Sequence, residues 1–156
     1  ANSKWSRKRV TVKNKAKVEE KISMKRHGIL NSDISRVLSY MGHTDCICIG
    51  DCGLPIPDET ERIDLAVKFG VPTFMDVLKE VGNDMKIEKI VLAEEIKEHN
   101  PQVLAEITEY FKGQDVEVEY VSHVGLKQMT RECKAVIRTG ETTPYANIIL
   151  QSGCIF

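Results

Sequence analysis

The regular change of hydrophobic period along this chain most restricts what it can fold into. Ile34, Val37, Leu38 and Met41 recur at helical spacing behind Asn31, a good N-cap, and Gly42 follows as a stop signal. Cys46-Ile47-Cys48-Ile49 is short, apolar and partly β-branched, the profile of a buried strand. After the turn-rich stretch Asp51-Cys52-Gly53-Leu54-Pro55-Ile56-Pro57, Thr73 can cap a second helix with Phe74, Val77, Leu78 and Val81 on one face. Ile87 to Ala93 reads as a strand, and Asn100-Pro101 opens a helix carrying Leu104, Ile107 and Phe111. Val116, Val118 and Tyr120 alternate with charges, which is strand periodicity. A short helix around Leu126 and Met129 leads to Ala135-Val136-Ile137, and Asn147-Ile148-Ile149-Leu150 closes the pattern. Strands alternating with helices predict an α/β fold, a three-layer α/β/α arrangement around a mixed, largely parallel sheet. Such sheets bind ligands beyond the C-terminal ends of their strands, and Asp51, Ser122-His123 and Thr139-Gly140 all occupy such ends.

Length bounds this pattern to one domain: 156 residues give room for a single sizeable core. No run of 18 apolar residues exists, so no membrane span is expected, and the basic N-terminus lacks the apolar segment of a secretory signal. Five cysteines, three of them (Cys46, Cys48, Cys52) within seven residues, make a poor disulfide framework and point to a reducing, cytoplasmic setting. Residues 1–23 hold eight Lys/Arg against two Glu, net +6, whereas residues 24–156 hold fourteen against twenty-one acidic residues, net −7. An acidic body gives no footprint for nucleic acid. The basic stretch could serve as an arm, but Met24 reads as a start. The codons for Val18-Glu19-Glu20 can also spell a purine-rich ribosome-binding sequence just upstream of it. Residues 1–23 are therefore expected to be a leader or vector-derived segment, and 24–156 the single domain.

Familiar chemical signatures are missing: no phosphate-binding G-x-x-x-x-G-K-S/T loop, no G-x-G-x-x-G, no G-x-S-x-G elbow and no H-E-x-x-H. Neither metal nor cofactor is expected. Cys46 and Cys48 would share one face of a strand, so the cysteine cluster reads as packed core rather than as ligands. What remains are polar residues beside turns. His43, in Gly42-His43-Thr44-Asp45, lies between a helix end and a strand start, where an imidazole can simply be a helix C-terminal partner. Asp51 can close an Asx-turn, His123 can start a helix, and Tyr145 and Asn147 can shape the turn before the last strand. His27 and His99 read as structural or exposed.

Several stretches taken together are more specific. Lys25-Arg26-His27-Gly28-Ile29-Leu30-Asn31, Gly42-His43-Thr44-Asp45, Asp51-x-Gly53-Leu54-Pro55-x-Pro57, Ser122-His123 and Val136-Ile137-Arg138-Thr139-Gly140-Glu141-x-Thr143-Pro144-Tyr145-Ala146-Asn147 closely resemble the D-ribose pyranase family, from Met24 to Phe156. The resemblance implies a cytoplasmic isomerase exchanging the pyranose and furanose forms of free ribose, built as a decameric ring. It implies that His43 is the proton donor and that Asp51, His123, Tyr145, Ala146 and Asn147 bind the sugar. Cys52 departs from the family's usual Ala, a small apolar change. Fucose mutarotases resemble the chain less, tending to Gly-His-Gly-Asp, a Phe-Pro turn and Tyr-Gly-Asn. A mutarotase for another sugar, or a non-catalytic sugar-binding accessory of a transporter, are the alternative readings.

The chemistry suits these side chains. Ring opening needs a proton delivered to the ring oxygen while another leaves the anomeric hydroxyl, and a histidine can donate and recover it near neutrality. Asp51 can accept hydrogen bonds from hydroxyls or act as the partnering base, and Tyr145 and Asn147 supply donors and acceptors. Spacing adds a constraint. His43 and Asp51 bracket a strand, eight residues apart, an extended path of roughly 26 Å at about 3.3 Å per residue. One subunit is then not expected to place both on one sugar, and the site is expected to be shared between neighbouring chains.

Overall fold

The computed structural model describes residues 24–156, so the expected leader segment lies outside the described residues. Helix α1 (Ser32–Tyr40) starts where the Asn31 side chain accepts from the Ile34 N–H, and it buries Ile34 and Val37. It ends one residue before the periodicity suggests, because Met41 takes an extended conformation and serves as the C-cap. Strand β1 (Cys46–Gly50) follows, then β2 (Glu61–Asp64), α2 (Phe74–Asp84), β3 (Ile87–Ala93) and a single turn of helix, α3 (Ile96–His99). Then come α4 (Pro101–Phe111), β4 (Glu117–Val121), α5 (His123–Met129), a 3-10 turn (Thr130–Glu132), β5 (Ala135–Arg138) and β6 (Ile148–Ser152). Thr73 caps α2 by accepting from the Asp76 N–H, and Asn100 caps α4 by accepting from Val103 ahead of Pro101 at its first turn.

The six strands run in the order β2-β5-β1-β6-β3-β4. β6 is antiparallel to both β1 and β3, while β1–β5, β2–β5 and β3–β4 are parallel. Five strands therefore point one way and the last strand, inserted between β1 and β3, points the other. The expected mixed, largely parallel sheet is the sheet observed.

Strand alternation divides the core. Ile47 and Ile49 of β1 join Phe74, Leu78, Val81, Ile107 and Phe111 on the face covered by α1, α2 and α4. Cys48 points to the other face with Val91, Val136, Ile149 and Leu126 of α5. Each fully buried aliphatic or aromatic side chain contributes about 1.5–3 kcal/mol. Cys46 packs against the same cluster as Cys48, as alternation requires. Strand β2 went unread because Ile63 is its sole buried residue; Glu61, Arg62 and Asp64 are exposed on the sheet's edge.

The segment after β5 is locked by a close approach. A Cβ at Gly140 would lie 2.5 Å from both the N and O of Val71, so only glycine fits. There the Gly140 N–H donates to Pro72 O and the Gly140 carbonyl accepts from Gly70. The chain beyond it is thereby held against the 68–72 loop and enters β6 from the C-terminal edge of the parallel strands.

Candidate functional site

The parallel strands deliver Asp51, Ser122-His123 and Thr139-Gly140 to one edge, and Asn147 arrives there at the start of β6. The Asp51 N–H donates to Asn147 Oδ1 at 2.9 Å, and the Asp51 carboxylate accepts from the Gly53 N–H at 2.9 Å, the Asx-turn read from the sequence. Because that backbone donor fixes which end of the amide is oxygen, Asn147 Nδ2 faces the other way. Asn147 is fully buried, and its Nδ2 has no hydrogen-bond partner. His123 begins α5: its N–H donates to the Glu95 carboxylate at 2.9 Å, and Ser122 Oγ accepts from Gly125. Its buried Nδ1 likewise has no partner. Buried polar atoms are normally satisfied, so two orphans on adjoining elements make this edge the candidate ligand site.

Tyr145 lies between two imidazoles, edge-on to His123 with ring centroids 5.0 Å apart and tilted against His99 at 5.5 Å. It adopts φ 57°, a left-handed conformation that costs a non-glycine residue about 1–2 kcal/mol. Its surroundings hold it there. Asn100 Nδ2 donates to Pro144 O at 2.8 Å and to Thr143 Oγ1 at 3.0 Å. Thr143 in turn donates to Glu141, whose other oxygen accepts from the first N–H of α2. Strain fixed by such over-determined contacts is characteristic of ligand sites. Ala146 is fully buried in the core, backbone and side chain alike.

Burial pushes the Asp51 carboxyl above the usual carboxylate range; the Gly53 N–H first, then the Leu54 N–H and the His123 charge, pull it partly back. A hollow of about 440 Å³ between the Pro55–Glu59 loop and α5 adjoins this edge, but none of these residues lines it. Among the described residues no group of three His, Cys, Asp or Glu side chains could hold a metal ion. Burial holds the Cys133 thiol up at about 12 and raises Cys48 as well, so both are protonated packing groups.

His43 stands apart from all of these. It belongs to the turn before β1, where Asp45 N–H donates to Gly42 O and Thr44 takes φ 72°. That turn shortens the extended path assumed from spacing. It still leaves His43 at the N-terminal end of β1, beside Ser152 at the far end of β6, whereas Asp51 lies at the other end beside Asn147. His43 is exposed, and its Nε2 is 2.9 Å from Glu88 Oε2. Sequence reading missed Glu88, His99 and Glu95. His99 had only the look of a surface residue, and Glu88 meets His43 across 45 residues of chain that no local pattern connects.

A family profile described as the RbsD / FucU transport protein family matches residues 24–155. The chain belongs to that family. Relatives include a D-ribose pyranase of Bacillus cereus, 55% identical over 133 residues that cover 85% of this chain and all of the relative. A D-ribose pyranase of Exiguobacterium sibiricum is 54% identical over the same lengths. Bacillus subtilis RbsD, solved in complex with D-ribose, superposes with a TM-score of 0.81 at 47% identity, covering 85% of this chain and 100% of that one. The fucose mutarotase of Streptococcus pneumoniae shares the fold, with a TM-score of 0.70 at 22% identity over 81% of this chain and 95% of its own. No helix of the described residues is long and apolar enough to cross a membrane.

Proposed function

We propose that this member of the RbsD / FucU family is a D-ribose pyranase, an isomerase that exchanges the pyranose and furanose forms of the free sugar without a cofactor. The observation that carries the reading is the pair of orphaned atoms, His123 Nδ1 and Asn147 Nδ2, gathered with Asp51 and Tyr145 where an α/β sheet binds ligands. A polyhydroxylated ligand offers each of these groups a partner. The pyranase relatives at 54–55% identity and the ribose complex of the B. subtilis relative support ribose as that ligand.

In the proposed reaction the bond from C1 to the ring oxygen breaks and its electron pair goes to that oxygen, which takes a proton from the His43 imidazolium. The anomeric hydroxyl gives up its proton and becomes the carbonyl of the open chain. Asp51 accepts hydrogen bonds from hydroxyls or takes that proton, while His123, Tyr145, Ala146 and Asn147 hold the sugar. Rotation and closure through a different hydroxyl run the same steps backwards, so nothing is gained or lost overall. Because β1 separates His43 from Asp51 in one chain, the site is shared: His43 of one subunit meets the binding residues of the next. A ring-shaped homo-oligomer, decameric in this reading and working in the cytoplasm, supplies that arrangement.

Exchange between ribose ring forms, followed by NMR saturation transfer beside fucose as the comparison sugar, tests this. The protein should accelerate exchange of ribose in preference to fucose. His43→Ala should lower that rate roughly 10²–10⁴-fold while ribose still binds. Binding without any acceleration would point instead to a sugar-binding accessory protein.

A further inference from the structure

Strand β3 carries an irregularity of one residue. Ile87 pairs with Ser152 and Lys89 with Gln151, so two steps along β3 match one step along β6, and Glu88 is the extra residue of the bulge. Bulges of this kind bend a strand and re-aim a side chain, and they recur beside active sites. Here the bulge delivers Glu88 to the turn before β1. Its Oε2 accepts from His43 Nε2 at 2.9 Å, and its Oε1 accepts from Gln151 Nε2 at 2.6 Å. Both oxygens are engaged, one by the imidazole and the other by a side chain rooted in the central strand. The Gly153 backbone closes behind it: a Cβ there would lie 3.1 Å from Glu88 Cβ.

We propose that Glu88 is a positioning residue for His43, holding the imidazole by Nε2 so that Nδ1 is the nitrogen that exchanges a proton with the sugar. The proposal rests on the pyranase reading of the site. An ionised carboxylate only accepts hydrogen bonds, so its partner nitrogen must carry hydrogen in both charge states of the ring. The mobile proton therefore belongs to Nδ1, and the ring is oriented through one contact with a carboxylate that Gln151 holds in turn. Gln151 first, and then His43, hold the Glu88 carboxyl below its usual range, so it is ionised at neutral pH. Two ion pairs stand at this corner, Lys89 with Glu119 across β3 and β4 and Asp45 with Lys134 before β1 and β5, and the Lys86 side chain lies beside Gly153.

The test uses the full chain and reads the His43 ring directly. Nitrogen-15 shifts should place the proton of the neutral His43 ring on Nε2; a proton on Nδ1 would overturn the proposal with no variant needed. Glu88→Ala should slow ribose ring exchange roughly 10–100-fold, the scale of a misplaced catalytic group, and move the ring towards a mixture of tautomers. Ribose affinity should stay within about twofold, since ground-state binding is not Glu88's task. Glu88→Gln, whose amide oxygen can still accept from Nε2, should keep the tautomer and recover most of the rate. An unchanged rate in Glu88→Ala, or a fall in rate with the His43 tautomer unmoved, would overturn the assignment. If the unaltered protein failed to accelerate exchange, the functional reading would fall, and the tautomer would still decide whether Glu88 holds His43.

Discussion

The two ends of the central sheet are finished in opposite ways. At the C-terminal edge of the parallel strands, Asn147 and part of His123 are buried with polar atoms left unpartnered, and the loop around them is cross-braced through Asn100, Thr143 and Glu141. At the N-terminal edge, His43 is exposed and already has its partner in Glu88. A cross-braced edge with unsatisfied groups suits recognition, because a ligand that completes those bonds is selected over one that cannot. An accessible imidazole with an anchored carboxylate suits proton delivery. The difference is that between a receptor and a tool, and β1 holds the two apart within one chain.

Mixing variants is the most severe way to break that comparison. His43→Ala and Asn147→Ala chains should each be nearly inactive alone. Mixed one to one under conditions that let subunits exchange, they should regain roughly a quarter of the unaltered activity, because random assembly gives that share of intact shared sites. No regain of ribose exchange would put both residues in one chain's site.

Asn147→Ala by itself sharpens the receptor end. It removes the acceptor for the Asp51 N–H and a ligand donor together. Stability should fall by about 1–3 kcal/mol in denaturant titrations, and ribose affinity should drop roughly 10–100-fold in calorimetry.

The smallest effect is one of pH. Asp51 is held above its ordinary pKa, so the folded state binds its proton more tightly than the unfolded state does. Stability from this group is then greatest below the unfolded value of about 3.9 and is lost as pH rises through the raised folded value. Asp51→Asn should therefore melt slightly higher than the unaltered protein at neutral pH, with the gap closing towards pH 4, even as ring exchange declines. An Asn variant that melts lower at neutral pH would mean that the carboxylate is a net support of the fold.

How much of this was legible depended on whether the signal was local. Asn31, Thr73 and Asn100 cap the helices that follow them because a cap is decided by residues three apart. Asp51 and His123 could be placed at strand ends because strand and turn adjoin in sequence. β2 escaped because an edge strand needs a single inward residue, Ile63, and one residue makes no period. The run Ile148 to Leu150 reads as buried in either direction, so nothing in it says that β6 lies antiparallel between β1 and β3. Glu88's role depends on that insertion and on a one-residue bulge, both set by distant pairing, and so only the folded chain brings it to His43.

That inserted strand carries a consequence for errors of assembly. Asn147 precedes β6 at one end and Gln151 lies near the other, so five residues serve both the Asp51 corner and the Glu88 corner. A slip of one residue would turn every side chain of the strand to the wrong face and spoil both corners together. A misregistered chain cannot then pass as half-good, sound at one corner and defective at the other. Fidelity at both corners is inspected by a single event, the seating of the last strand.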